Sequence, residues 1–167
     1  MAAKNNIGIL TGGGDVPGLN PVIKSVVYRA KEMGRQVIGI RKGWEGLTHM
    51  ASDSNEDPIY IRPLTRDNTR TIDRTGGTVL HTSRTNPRKM LESKIPKHIS
   101  PDRIKKLPFD GKHYDFTPIV LENLDRLGIG IARLIVCLHR TDGGAVHELH
   151  RRRDDAVGDD EIGRAHV

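Results

Sequence analysis

The sequence predicts an α/β protein built on an open, doubly wound, Rossmann-like parallel sheet. Three observations carry this. Short apolar runs alternate with stretches of helical periodicity, the leading run stops at a cluster of glycines, and the links are short enough to demand right-handed crossovers between parallel strands. At 167 residues with 35% apolar content, the chain is the size of one domain with a modest core.

Ile7, Ile9 and Leu10 form a buried strand that runs through Thr11 into Gly12, Gly13 and Gly14. Pro17 and Gly18 then lead into a segment where Val22, Ile23, Val26, Val27, Ala30 and Met33 recur at helical spacing, until Gly34 stops it. Residues 37–40 are a second apolar run of strand length, so the chain opens strand, helix, strand. Over 41–61, Gly43, Gly46 and Pro58 break the signal into turns and one possible edge strand, which reads as irregular. Residues 65–74 are polar apart from Ile72. Gly76-Gly77 then introduce a short strand, Thr78-Val-Leu80, followed by a loop over 81–87. Residues 88–113 are rich in Lys and carry Pro96, Pro101 and Pro108, which points to a surface helix or insertion rather than core. Thr117 is placed to cap a helix over 118–127, where Ile119, Val120, Leu124 and Leu127 share a face and Gly128 ends it. Residues 134–138 form the next strand.

Charge and composition exclude several functions. The net charge of +6 comes from scattered Lys and Arg, and 4% aromatic content leaves little for base stacking, so no nucleic-acid partner is expected. Cys137 stands alone and cannot form an internal disulfide. The apolar run 131–138, broken by Arg133, falls far short of the roughly 20 residues that cross a bilayer. No secretory signal pattern is present, and a cytoplasmic location is expected. Residues 139–167 carry five Arg against seven Asp and Glu, and hold four of the eight His. This shift marks a boundary: 1–138 reads as one unit, and 139–167 as a tail that is disordered or translated out of frame. Within that tail His139, Asp142 and His147-Glu-Leu-His150 imitate zinc ligands, but the two histidines stand one residue too close for the helical His-Glu-x-x-His pattern.

In such a sheet a ligand sits outside the carboxyl ends of the strands, where Gly12 to Asp15 and Ser83-Arg84 fall. Successive glycines at a strand-to-helix junction let backbone N–H groups approach a polyphosphate with no side chain in the way. The glycines alone are equally those of a tight turn, Asp15 would repel a phosphate unless a metal or an ordered turn held it, and a Walker loop is absent.

The wider context decides. Ile7-Gly-Ile-Leu-Thr-Gly-Gly-Gly-Asp-Val-Pro-Gly-Leu-Asn20 resembles the opening signature of the 6-phosphofructokinase family. The resemblance continues through Val37-Ile-Gly-Ile40, Gly43-Trp-Glu-Gly-Leu47, Gly76-Gly-Thr-Val-Leu80, Thr82-Ser-Arg-Thr-Asn-Pro87 and Leu124-Asp-Arg-Leu-Gly-Ile129, covering about residues 5–136. It implies that Gly12, Gly13, Gly14 and Asp15 contact the nucleotide phosphates, and that Ser83 and Arg84 line the same site. A guanidinium suits that role because its rigid fork binds two phosphate oxygens at once. Lys24 matches a basic residue of a subunit-interface effector site in bacterial members, or is an exposed helix lysine; Tyr28 departs from the family, where a second basic residue often stands. The implied reaction is transfer of a phosphoryl group from ATP, with Mg2+, to fructose 6-phosphate, giving ADP and fructose 1,6-bisphosphate in glycolysis, by a homodimer or homotetramer. Two alternatives stay open: a fragment of a pyrophosphate-dependent relative, and a non-catalytic nucleotide-binding module. Family members follow the last strand with Gly-Gly-Asp, whose aspartate holds magnesium, and later with the catalytic base in Thr-Ile-Asp-Asn-Asp. Here His139-Arg-Thr-Asp-Gly-Gly144 has another order and the second motif does not occur, so these 167 residues are expected to be inactive, with no catalytic or metal-ligating residue of their own.

Overall fold

The computed structural model describes residues 5–13, 17–51 and 57–138. Strand β1 (Asn6–Gly12) leads to helix α1 (Leu19–Glu32), strand β2 (Val37–Ile40), helix α2 (Trp44–His49) and strand β3 (Ile61–Leu64). Short helices α3 (Arg66–Thr69) and α4 (Pro101–Ile104) come next, then α5 (Thr117–Arg126) and strand β4 (Ile129–Leu138). The sheet order is β3-β2-β1-β4. β1 pairs in parallel with both β2 and β4, and β3 closes one edge antiparallel to β2. The expected α/β layering is therefore present, with a parallel centre and an antiparallel border strand.

Strand alternation explains how one sheet feeds two cores. Leu10, Ile40 and Ile61 face α2 and α5, where they pack with Trp44, Leu47, Val120 and Leu124. Ile9, Val37 and Leu64 face the other way and meet Ile23, Val27 and Ala30 of α1, together with Ile72 and Leu80. Helices on both faces are the doubly wound arrangement. Removal of a fully buried leucine or isoleucine from either layer costs about 2–5 kcal/mol.

Several expectations are corrected. Thr78-Val-Leu80 is not a strand. Both edges of β2 and of β1 are already paired, so Leu80 instead drops its side chain, fully buried, onto the bare Cα of Gly39, where a Cβ would stand 2.6 Å from Leu80 Cδ2. The irregular stretch 41–61 contains α2, hidden by Gly46, whose missing side chain admits the Arg41 carbonyl at 2.3 Å from an ideal Cβ. β4 begins at Ile129 rather than residue 134, because Asn6 pairs with Ile129 and Gly8 already with Leu134, leaving 130–133 to bulge from the ladder. Thr117 is the first residue of α5 and caps nothing; the Asp115 carboxylate accepts from its N–H at 2.8 Å. Residues 88–113 do lie on the surface, yet Met90, Ile99 and Leu107 join Phe116 and Ile119 in a third small core. No helix among the described residues is long and apolar enough to cross a membrane. The boundary drawn after residue 138 places the tail outside the described residues, and with it the His147–His150 pattern.

Candidate functional site

The carboxyl ends of β1 and β2 meet the irregular segment 75–86. Gly12 ends β1 and is buried; Gly13 follows in a left-handed conformation, φ 80°, and is half-buried. The Gly13 N–H points to the Ser83 carbonyl oxygen at 3.5 Å, so the structure does bring the glycine turn and the Ser83-Arg84 loop together. That amide is consequently turned toward protein rather than into an open crevice. At this distance the bond is at the outer limit of hydrogen-bonding geometry. Gly14 and Asp15 lie outside the described residues.

Arg84 is exposed and, among the described residues, makes no hydrogen bond or ion pair. The half-buried Ser83 hydroxyl accepts from the Thr85 N–H at 3.4 Å, which tightens the bend carrying Arg84. α1 opens at Gly18, φ 100°, with no side-chain cap hydrogen bond among the described residues and no acidic residue within its first turn.

Residues that sequence reasoning did not single out hold this arrangement. Thr11, fully buried at the end of β1, donates to the His81 carbonyl at 2.8 Å, and its hydroxyl lies 3.3 Å from that of Thr78. Lys42 N–H donates to the Leu80 carbonyl at 2.8 Å. Gly43 packs its Cα against β1: a Cβ there would fall 2.6 Å from the Thr11 carbonyl oxygen, at φ +57°. Lys42 and His81 also take φ 57°, a region that costs non-glycine residues free energy and that clusters at functional sites. The Gly43-Trp44 motif carried a signal for these contacts, since close backbone approach requires glycine, and Gly77 supplies a left-handed turn at φ 77°.

Lys24 lies apart from this crevice. Its ammonium donates to the Asp73 carboxylate at 2.9 Å and to the Arg70 carbonyl at 2.8 Å, tying α1 to the turn before Gly76. The hydrogen bond from Lys24 holds the Asp73 carboxyl below its ordinary range. Tyr28 stacks under the Arg66 guanidinium, 4.8 Å from its ring centre, which is what the departure from a basic residue does here.

Just beyond Arg84, a shallow cavity of about 520 Å³ is bounded by Asn86, Arg88, Lys89, Phe109, Asp110 and His113. The N–H groups of His113 and Lys112 hold the Asp110 carboxyl down to about 2. Its mixed charges give it no single chemical preference. Cys137 is half-buried in β4, and burial pushes its thiol up, away from the reactive thiolate. Among the described residues no group of three or more His, Cys, Asp or Glu side chains could hold a metal ion. Asp15, the carboxylate next to the glycine turn in sequence, lies outside the described residues, and no step is derived through magnesium.

The family model described as phosphofructokinase matches residues 6–114. The pyrophosphate–fructose 6-phosphate 1-phosphotransferase of Dictyoglomus thermophilum is 43% identical over 108 residues, which is 65% of this chain and 28% of that protein. The ATP-dependent 6-phosphofructokinase of Aquifex aeolicus is 44% identical over 86 residues, 52% of this chain and 24% of that one. The chain thus spans about a quarter of the length of these relatives. Among solved structures, phosphofructokinase from Saccharomyces cerevisiae superposes with a TM-score of 0.52 at 22% identity, covering 80% of this chain and 14% of that one. Pichia pastoris phosphofructokinase in the T-state gives 0.56 at 26%, covering 82% and 12%. With the family model matched across well over half of its length, the chain belongs to the phosphofructokinase family.

Proposed function

We propose that this chain supplies the donor-phosphate side of a 6-phosphofructokinase active site, for transfer of a phosphoryl group from ATP to fructose 6-phosphate. The observation that carries the reading is the Gly13–Ser83 contact, which sets the glycine turn beside the exposed Arg84 at the carboxyl ends of the parallel strands. In this reading the Gly13 amide, released from its long bond to Ser83, and the amides of its neighbours Gly12, Gly14 and Asp15 take phosphate oxygens. Ser83 and Arg84 complete the anion shell, and the α1 N-terminus adds its dipole. Residues 1–138 form this part of the enzyme and 139–167 stand outside the family pattern. Cytoplasmic location, magnesium and assembly into dimers or tetramers are carried from the family.

A second reading takes pyrophosphate as the donor. It is favoured by the Dictyoglomus relative, whose match runs over 108 residues against 86 for the Aquifex protein. A backbone cradle with one arginine recognises the phosphates shared by both donors, so it does not separate them.

The 167-residue polypeptide is proposed to bind donor without turning it over, since positioning and charge neutralisation by the metal aspartate, base and sugar pocket supply most of phosphoryl-transfer catalysis. Titration with ATP and with pyrophosphate, followed by fluorescence of the single Trp44 beside Gly43, tests binding. A coupled assay with fructose 6-phosphate tests turnover. Saturable quenching with no product supports the proposal; no response to either ligand removes it, and product above a blank removes the inactive reading.

A further inference from the structure

We infer that Asn20 is a positioning residue for the anion-contacting loop, an inference that rests on the donor-phosphate reading above. Residues 75–86 contain no helix or strand, so few of their backbone groups pair within the segment and the others need partners elsewhere. Asn20, the second residue of α1 and only 4% exposed, serves three of them with one side chain. Its Nδ2 donates to the Gly77 carbonyl at 2.6 Å and reaches the Thr75 carbonyl at 3.2 Å and the Thr75 hydroxyl at 3.3 Å. Its Oδ1 accepts from the Val79 N–H at 2.9 Å. Carbonyls on one side and an N–H on the other admit only this orientation of the amide, so the geometry is specific to asparagine rather than to a small polar group.

The clamp sits upstream of Arg84. Between Val79 and Ser83 the chain is held by Leu80 under Gly39, by the Lys42 bond to the Leu80 carbonyl, by Thr11 on the His81 carbonyl, by the His81 N–H on the Thr78 carbonyl and by the Gly13 N–H on the Ser83 carbonyl. Asn20 therefore sets the starting point from which those contacts aim the 83–84 bend. It also belongs to the first turn of the helix whose N-terminus faces the same anion. One residue thus registers two parts of the site against each other. Burial makes each lost bond felt, because an orphaned group has no water to turn to.

Binding of MgATP and of magnesium pyrophosphate to the 167-residue protein, read by Trp44 fluorescence, tests this in four forms. Asn20→Ala is expected to weaken binding at least about tenfold, the equivalent of one to two hydrogen bonds. Asn20→Asp, of equal size, is expected to lose as much, because it sets a carboxylate oxygen against the Gly77 and Thr75 carbonyls. Ile119→Ala, a buried residue of α5 in the third small core and away from the loop, is expected to lower the melting temperature while leaving affinity within about twofold. Equal affinity in wild type and Asn20→Ala overturns the assignment while leaving the donor-site reading intact. So does a loss in Ile119→Ala as large as in the Asn20 variants, which would show a structural role. Wild-type protein that binds neither probe removes the donor-site reading and this inference together.

Discussion

The Thr11 hydroxyl donates to the His81 carbonyl across 70 positions of sequence, 2.8 Å from end to end. This bond fastens the last turn of β1 to a loop residue held at φ 57°, a conformation that a histidine does not keep without support. Replacing Thr11 with Val preserves shape and deletes the donor. Thr11→Val is expected to destabilise the fold by about 1–2 kcal/mol, measured by urea denaturation, with an unchanged denaturant slope.

Gly43 has no room for a methyl group. The clash is with backbone, the Thr11 carbonyl oxygen, and φ is +57° with ψ −133°, so neither rotation nor side-chain movement relieves it. Gly43→Ala is expected to cost about 2–4 kcal/mol by chemical denaturation. Gly76→Ala, with nothing within 4 Å of its Cβ, is expected to cost under about 1 kcal/mol.

Arg84 separates binding from folding. Its side chain is exposed, so Arg84→Ala should leave the melting temperature within about 1 °C, while binding of ATP or pyrophosphate falls by about tenfold to a hundredfold. Arg84→Lys is expected to recover only part of this, because an ammonium cannot present two parallel donors to a phosphate. Calorimetric titration of the three proteins reads both quantities.

His49 supplies a pH dependence. It lies half-buried at the end of α2, its Nδ1 2.8 Å from the Thr48 hydroxyl, and burial lowers its pKa below 6.5 against the opposing pull of Glu45. Burial disfavours the charged ring, so the unfolded chain takes up its proton first as acid is added. Stability is then complete above 6.5 and is lost as pH falls below it toward the folded-state value. Melting temperatures at pH 7.5 and 5.5 should show this drop, and His49→Gln should shrink it.

Much of this was legible because local pattern and tertiary context agreed. β1, α1 and β2 follow from apolar runs and helical spacing; of the spaced residues Ile23, Val27 and Ala30 are buried, whereas Val22 and Met33 are exposed and Leu19 joins the stripe instead. Thr78 to Leu80 has the composition of a strand, but a strand needs a free edge, and the sheet order leaves none beside β1 or β2. The pairing partner of a segment is a property of the whole fold. α2 was obscured because its glycine serves a close approach to Arg41 rather than a break in the chain. At the site, the glycines and Ser83-Arg84 were visible as motif. Asn20 and Thr11 were not, since a buried amide or hydroxyl shows its value only through the carbonyls that reach it from distant sequence.

The Lys24–Asp73 pair has a consequence for any small anion drawn to the outer face of α1. Such a visitor meets a cation that already has its counter-ion, and must compete with a carboxylate tethered beside it. Mild acidification would not free the site, because the bond from Lys24 holds the Asp73 carboxyl below its ordinary range and keeps it charged. The occupant would trade places with a side chain instead of filling a vacancy, and the turn leading to Gly76 would be loosened in the exchange.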